Sequence, residues 1–216
     1  KITWKLKKIE IYSENLKKEK LLNFGKNNDY LFSIIKNYQL FNILETHLSK
    51  NKLFKKFDSK INLNFNDYDL IINTDYKSPV TKKFFSKKIS KKYNSFAFTT
   101  IIKHSPVTND TAIQIFTKMG PLAFLPISKT HTSIVFSMHN SLSNKIDNIA
   151  ELIKRYNFKY EINYTKKISS FELITLSLRS YHHKNILAFG DLLHKIHPLA
   201  GQGFNMTVRD IKVLIE

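Results

Sequence analysis

Cysteine is absent from the 216 residues, which excludes disulfides, thiol catalysis and cysteine-ligated metals and permits a reducing compartment. Arginine is scarce: of 35 basic residues, only Arg155, Arg179 and Arg209 are arginines. Readers of nucleic acid depend on arginine for bidentate contacts, so no specific nucleic-acid partner is expected despite the formal net charge of +18. Lysine spread this evenly favours weak, salt-sensitive association with anionic surfaces, membranes included. Glycine is also sparse, with five in all, and no G-x-G-x-x-G turn occurs because Gly25 and Gly120 each stand alone. No apolar run approaches the length that spans a bilayer.

What remains is a globular composition, 42% hydrophobic and 13% aromatic, with enough chain to bury a core in one or two domains. "KKIEIYS" (7–13) reads as a strand, and residues 31–50 contain a helix with Leu40, Ile43, Leu44 and Leu48 on one side. "SKINLNFNDYDLIINTD" (59–75) offers two strands, the first with Ile61, Leu63 and Phe65 alternating and the second a short buried run. "SPVTKKFFSKKISKK" (78–92) begins as a helix with Ser78 as N-cap and Pro79 at its first position. Its lysine pairs at 82/83, 87/88 and 91/92 read as a solvated helix face.

From 93 to 138 the pattern is antiparallel sheet: Phe96 with Phe98, Ile113 with Ile115, and Ile134, Phe136 and Met138 each share a face. A helix follows over about 146–156, then strands at 171–178 and 185–191. A last helix starts after Gly203, with Phe204, Val208, Ile211 and Ile215 as its apolar stripe. Strands interleaved with helices around a central run of strands predict a mixed α and β architecture.

The stretch richest in chemistry is "FGDLLHKIHPLAGQGFNMTVRD" (189–210). A buried strand ends in Gly190-Asp191, which places a carboxylate where a sugar or ribityl hydroxyl can reach it; alone, it reads sooner as a turn aspartate capping the next segment. Gly201 and Gly203 lack Cβ, so the backbone can approach a flat ligand closely. Pro198 stiffens the approach. The helix that follows points its free N–H groups and positive dipole end back at that loop. His194 and His197 form an H-x-x-H pair, but no third ligand accompanies them, so no metal is assigned.

Three stretches carry a resemblance. "GDLLHKIHPLAGQGFNMTVRD" resembles the C-terminal FAD-binding motif of the aromatic-ring flavoprotein hydroxylases, and is most similar to their ubiquinone-biosynthesis branch. "TAIQIFTKMGPLAFLPIS" (111–128) resembles that branch's Gly-Pro-x-Ala-x-Leu-Pro segment, and "NDYLFSIIKNYQLFNILETHL" the segment ahead of its mid-chain motif.

The resemblance implies a para-hydroxybenzoate-hydroxylase-like fold. Part of a dinucleotide-binding FAD domain (1–92 and 180–216) is expected beside an antiparallel-sheet substrate domain (93–179). It implies FAD as cofactor, held at Gly190, Asp191, Pro198, Gly201, Gln202, Gly203, Phe204 and Asn205. It also implies NAD(P)H as electron donor and O2 as oxidant, with a polyprenylated phenol as the ring that is hydroxylated. No residue is assigned a catalytic role, because the cofactor carries the chemistry. The expected location is cytoplasmic, with loose peripheral association to the inner membrane or a biosynthetic complex.

The chain departs from the family in particular places. It lacks the N-terminal glycine-rich unit, and in "NTDYKSPVTKK" Tyr76 stands where the family's mid-chain motif has glycine. Leu192, Leu193 and Thr207 replace small residues, and Thr81 or Lys82 stands where an arginine is usual. The chain opens on Lys1 and closes at Glu216 inside an apolar stripe, as expected of part of a longer protein with poor solubility on its own. Two other readings stay open: a degenerate remnant that keeps the fold without activity, and a basic module binding anionic lipid or nucleic acid.

Overall fold

The computed structural model describes residues 2–14, 19–25, 29–57, 64–141, 148–196 and 202–216. In chain order these form β1 (Thr3–Leu6), β2 (Lys8–Ser13), β3 (Lys20–Gly25), β4 (Phe32–Ile35) and α1 (Asn37–Ser49). Then come β5 (Ile71–Asn73), α2 (Pro79–Phe84), β6 (Lys88–His104), β7 (Thr111–Thr117), β8 (Gly120–Pro126) and β9 (His131–His139). The series closes with α3 (Ile149–Tyr156), β10 (Ile162–Thr165), β11 (Ser169–Leu178), β12 (His182–His183), β13 (Ile186–Ala188), β14 (His194–Lys195) and α4 (Gln202–Ile215). This is the mixed α and β architecture expected. The chain divides into two compact units, residues 1–56 with 95–171, and residues 57–94 with 172–216.

The first unit is built on a curled sheet in the order β6-β9-β8-β7-β2-β3, with β10 paired to the end of β6. Its neighbours are antiparallel except β2 and β7, which run parallel from Lys8 opposite Thr111 to Ser13 opposite Phe116. Strand β9 shows why the sheet forms: every second residue from Thr132 to Met138 is buried, because successive strand side chains point to opposite faces. Ile134, Phe136 and Met138 meet Ile102, Ile113, Ile115, Leu122 and Phe124 in one core.

Helix α3 adds Leu152 and Ile153 to that core. Asn148 caps it by accepting from the Ala150 amide at 2.8 Å, and Lys154 and Arg155 sit in the last turn, where the helix dipole favours cations. Gly120 makes the β7–β8 turn possible. Its φ is +138°, and a Cβ there would stand 2.0 Å from the Ser137 carbonyl oxygen.

The second unit holds a three-stranded sheet, β12-β13-β5, in which β13 and β5 are parallel. Its core is Phe85, Leu176, Leu178, Ile186, Ala188 and Leu192, with Tyr76 packed against them. Ser78 caps α2 as expected, accepting from the Thr81 amide at 3.1 Å, with Pro79 at the first position. The helix is short, however, and by Lys88 the chain is a strand. Lys88, Lys91 and Lys92 therefore lie on β6 and only Lys82 and Lys83 on a helix.

Three further expectations change. Residues 58–63 lie outside the described residues, and Phe65 opens a 3-10 turn (Phe65–Asp67) instead of ending a strand. The run at 71–73 is not fully buried: Asn73 is, whereas Ile72 is exposed. The last helix starts at Gln202, before Gly203.

Candidate functional site

The site is built where β5 and β13 end side by side. Ile186 pairs with Ile71, Leu187 with Ile72 and Ala188 with Asn73, so both chains leave the sheet at the same level and in the same direction. The space beyond the carboxyl ends of parallel strands is where open α/β sheets bind ligands. The buried Asn73 organises the exit of β5. Its side-chain amide donates to Thr81 Oγ1 at 2.7 Å, Ser78 Oγ donates to its carbonyl oxygen at 3.2 Å, and its main-chain carbonyl accepts from the Phe189 amide at 2.9 Å. The start of α2 is thereby tied to β5, and β5 to the exit of β13.

From β13 the chain turns at once through a 3-10 turn, Gly190–Leu192. Gly190 is buried with φ +62°, a left-handed conformation that favours glycine. The turn closes with the Leu193 amide donating to the Gly190 carbonyl at 3.0 Å. Asp191 is exposed, and a Cβ on Gly203 would lie 3.9 Å from its Oδ1. The carboxylate thus rests against the first turn of α4, where free amides and the positive dipole end favour negative charge. Thr207 of α4 faces Gly190, its Cγ2 being 3.9 Å from where a Cβ would stand.

Among the residues expected to hold a cofactor, Gly190, Asp191, Gln202, Gly203, Phe204 and Asn205 are gathered at this turn and the first helical turn beyond it. Gln202, Phe204 and Asn205 are exposed, as residues available to a ligand must be. Pro198 and Gly201 lie outside the described residues, as does His197. Among the described residues no group of three or more His, Asp or Glu side chains is placed to hold a metal.

The sequence reading missed two contributors. Asn73 gave no signal beyond ending an apolar run. In the sequence Tyr76 is only a departure from a glycine, yet its hydroxyl donates to the main-chain carbonyl of Asp191. Burial, and then the Asp191 charge, push the Tyr76 phenol up to about 12.

The chain is 32% identical over 115 residues to 3-demethoxyubiquinol 3-hydroxylase of Escherichia coli K12, a match covering 50% of this chain and 29% of that protein. It is 27% identical over 188 residues to the mouse mitochondrial ubiquinone biosynthesis monooxygenase COQ6, covering 68% and 40%. The chain is similar to hydroxylases of ubiquinone biosynthesis. It spans well under half the length of these hydroxylases, 29% and 40% respectively. No protein-family model matches it.

The fold agrees with that of FAD-dependent monooxygenases. PqsL, a probable FAD-dependent monooxygenase from Pseudomonas aeruginosa, superposes with a TM-score of 0.75 at 16% identity, covering 98% of this chain and 67% of PqsL. The oxygenase of 2-methyl-3-hydroxypyridine-5-carboxylic acid superposes with a TM-score of 0.71 at 13% identity, covering 95% and 62%.

Proposed function

We propose that this chain is part of a flavin-dependent monooxygenase that hydroxylates the aromatic ring of a polyprenylated phenol in ubiquinone biosynthesis, drawing electrons from NAD(P)H and oxygen from O2. The observation that carries the reading is the position of Asp191. It is an exposed carboxylate just beyond the end of a parallel strand, set against the first turn of α4. Similarity to hydroxylases of the ubiquinone pathway supports the substrate class, and the fold shared with an FAD-dependent monooxygenase supports the cofactor.

The residues present fit one end of FAD. The left-handed turn at Gly190 sets Asp191 against Gly203, where its carboxylate offers a hydroxyl acceptor to the ribityl chain, and the amides at the start of α4 favour negative charge on a ring lying against them. The adenosine end finds no glycine-rich turn in this sequence. Bound FAD supplies the electron transfer and oxygen activation. The protein orients the phenol and excludes water from the reacting atoms. Loose association with the inner membrane, where a polyprenylated substrate resides, fits the lysine-rich surface; among the described residues no helix is long and apolar enough to cross a bilayer.

The test is isotopic. The complete gene product, supplied with FAD, NAD(P)H and labelled O2, is expected to place one labelled oxygen on the ring of a polyprenylated phenol. NAD(P)H consumption without labelled product would contradict the reading.

A further inference from the structure

The register of the parallel pair gives Tyr76 a role that its sequence position does not suggest. Asn73 lies opposite Ala188, and Tyr76 and Asp191 each stand three residues beyond that pair. The hydrogen bond from the Tyr76 hydroxyl to the Asp191 carbonyl therefore spans the gap directly past the two strand ends. It joins positions 115 apart in sequence and crosses the crevice that open parallel sheets use for ligands.

The two faces of Asp191 are used differently. Its main chain holds the phenol, while its carboxylate faces Gly203 at the start of α4. The tyrosine ring is half-buried and packs against the core of this unit, so the phenol is positioned and not merely resting there. With its proton held up to about 12, it remains a donor throughout the neutral range. The surrounding polar groups, Asn73, Ser78 and Thr81, bond to one another and to the Asp75 carbonyl.

We propose that Tyr76 is a latch on the cofactor crevice: a flavin entering beyond the ends of β5 and β13 displaces its hydroxyl from the Asp191 carbonyl, so the closed latch lowers flavin affinity. The inference rests on the flavin reading above and adds to it a residue that sets the chain's preference between an open and a closed crevice. The alternative is a brace, in which the same bond preforms the Gly190–Leu192 turn for its ligand. The two differ in sign, since removing a latch tightens binding and removing a brace weakens it.

The experiment measures dissociation constants for riboflavin and FAD by fluorescence quenching, on the complete gene product and its Tyr76→Phe and Tyr76→Ala variants. Riboflavin is the deciding probe because it needs no adenosine subsite. Tyr76→Phe keeps the packed ring and removes only the hydroxyl, so it answers the question even if Tyr76→Ala unfolds. It is expected to bind riboflavin roughly two- to tenfold more tightly, the closed-to-open ratio that one net hydrogen bond sets. In the unmodified chain, saturating riboflavin is expected to raise the nitration rate of Tyr76. Equal or weaker binding by Tyr76→Phe would overturn the latch and leave the flavin reading standing. Absence of flavin binding by the unmodified chain and both variants would overturn both.

Discussion

Strand β9 sets Ile134, Phe136 and Met138 at every second position and buries all three. Helix α4 spaces Phe204, Val208, Ile211 and Ile215 along its length and leaves all four exposed, Phe204 at 48% and Ile215 at 77%. Both patterns follow the same rule, that apolar residues recur at the period of their element. They differ in what the rest of the chain supplies. β9 has neighbours on both sides and α3 adds to its core, whereas nothing among the described residues covers the stripe of α4. Periodicity identifies a face that needs covering; it does not say what covers it.

The comparison can be broken most forcefully at Phe136, which is fully buried. Phe136→Ala is expected to cost about 3–5 kcal/mol in urea unfolding, the range for deleting a core aromatic ring. Next comes Gly120→Ala. Its positive φ alone costs on the order of 1–3 kcal/mol, and the 2.0 Å approach of a Cβ to the Ser137 carbonyl adds a clash that backbone must absorb. An unchanged unfolding midpoint for either variant would mean that the curled sheet is not built as described.

A pH titration sharpens the same account across both units. Burial foremost pushes the phenols of Tyr12, Tyr76, Tyr156 and Tyr160 up to about 12, against an ordinary value of 10.0. The unfolded chain releases these protons near 10 and the folded chain holds them longer. Their contribution to stability is therefore complete below pH 10 and is lost as pH climbs from 10 towards 12. The urea midpoint is expected to fall across that window, and the phenolate absorbance of the folded chain to lag that of the unfolded chain. Coincident titration of folded and unfolded chains would contradict the burial of these rings. The smallest effect belongs to α4: Phe204→Ala is expected within about 0.5 kcal/mol of the unmodified chain, because the ring already faces solvent.

Much of this was legible where local chemistry decides the outcome. The every-second spacing of Ile134, Phe136 and Met138 marks β9 and Ser-Pro marks the start of α2, whereas the strand expected to run through Gly190-Asp191 stops at Ala188 and leaves Asp191 on the 3-10 turn beyond it. Legibility stopped where distant partners decide. The end of α2 and the strand from Lys88 onward depend on pairing, since β6 lies between β11 and β9 in the sheet and the Arg179 amide holds the Lys87 carbonyl at 3.1 Å. The parallel match of β2 with β7 joins segments about a hundred residues apart and leaves no local trace. The Tyr76 bond to Asp191 is of the same kind: a tyrosine in place of a glycine reads as a loss until the register sets it opposite its acceptor.

The central claim is that the turn at Gly190–Asp191 and the start of α4 hold a flavin, and one titration tests it most directly. Riboflavin and FAD quenching would be followed on the chain, on the complete gene product, and on Asp191→Ala in each. The account predicts riboflavin binding by the unmodified chain, weakened about tenfold or more by Asp191→Ala, the effect of losing a hydrogen bond to a charged acceptor. No flavin binding by either form, or binding indifferent to Asp191→Ala, would contradict it.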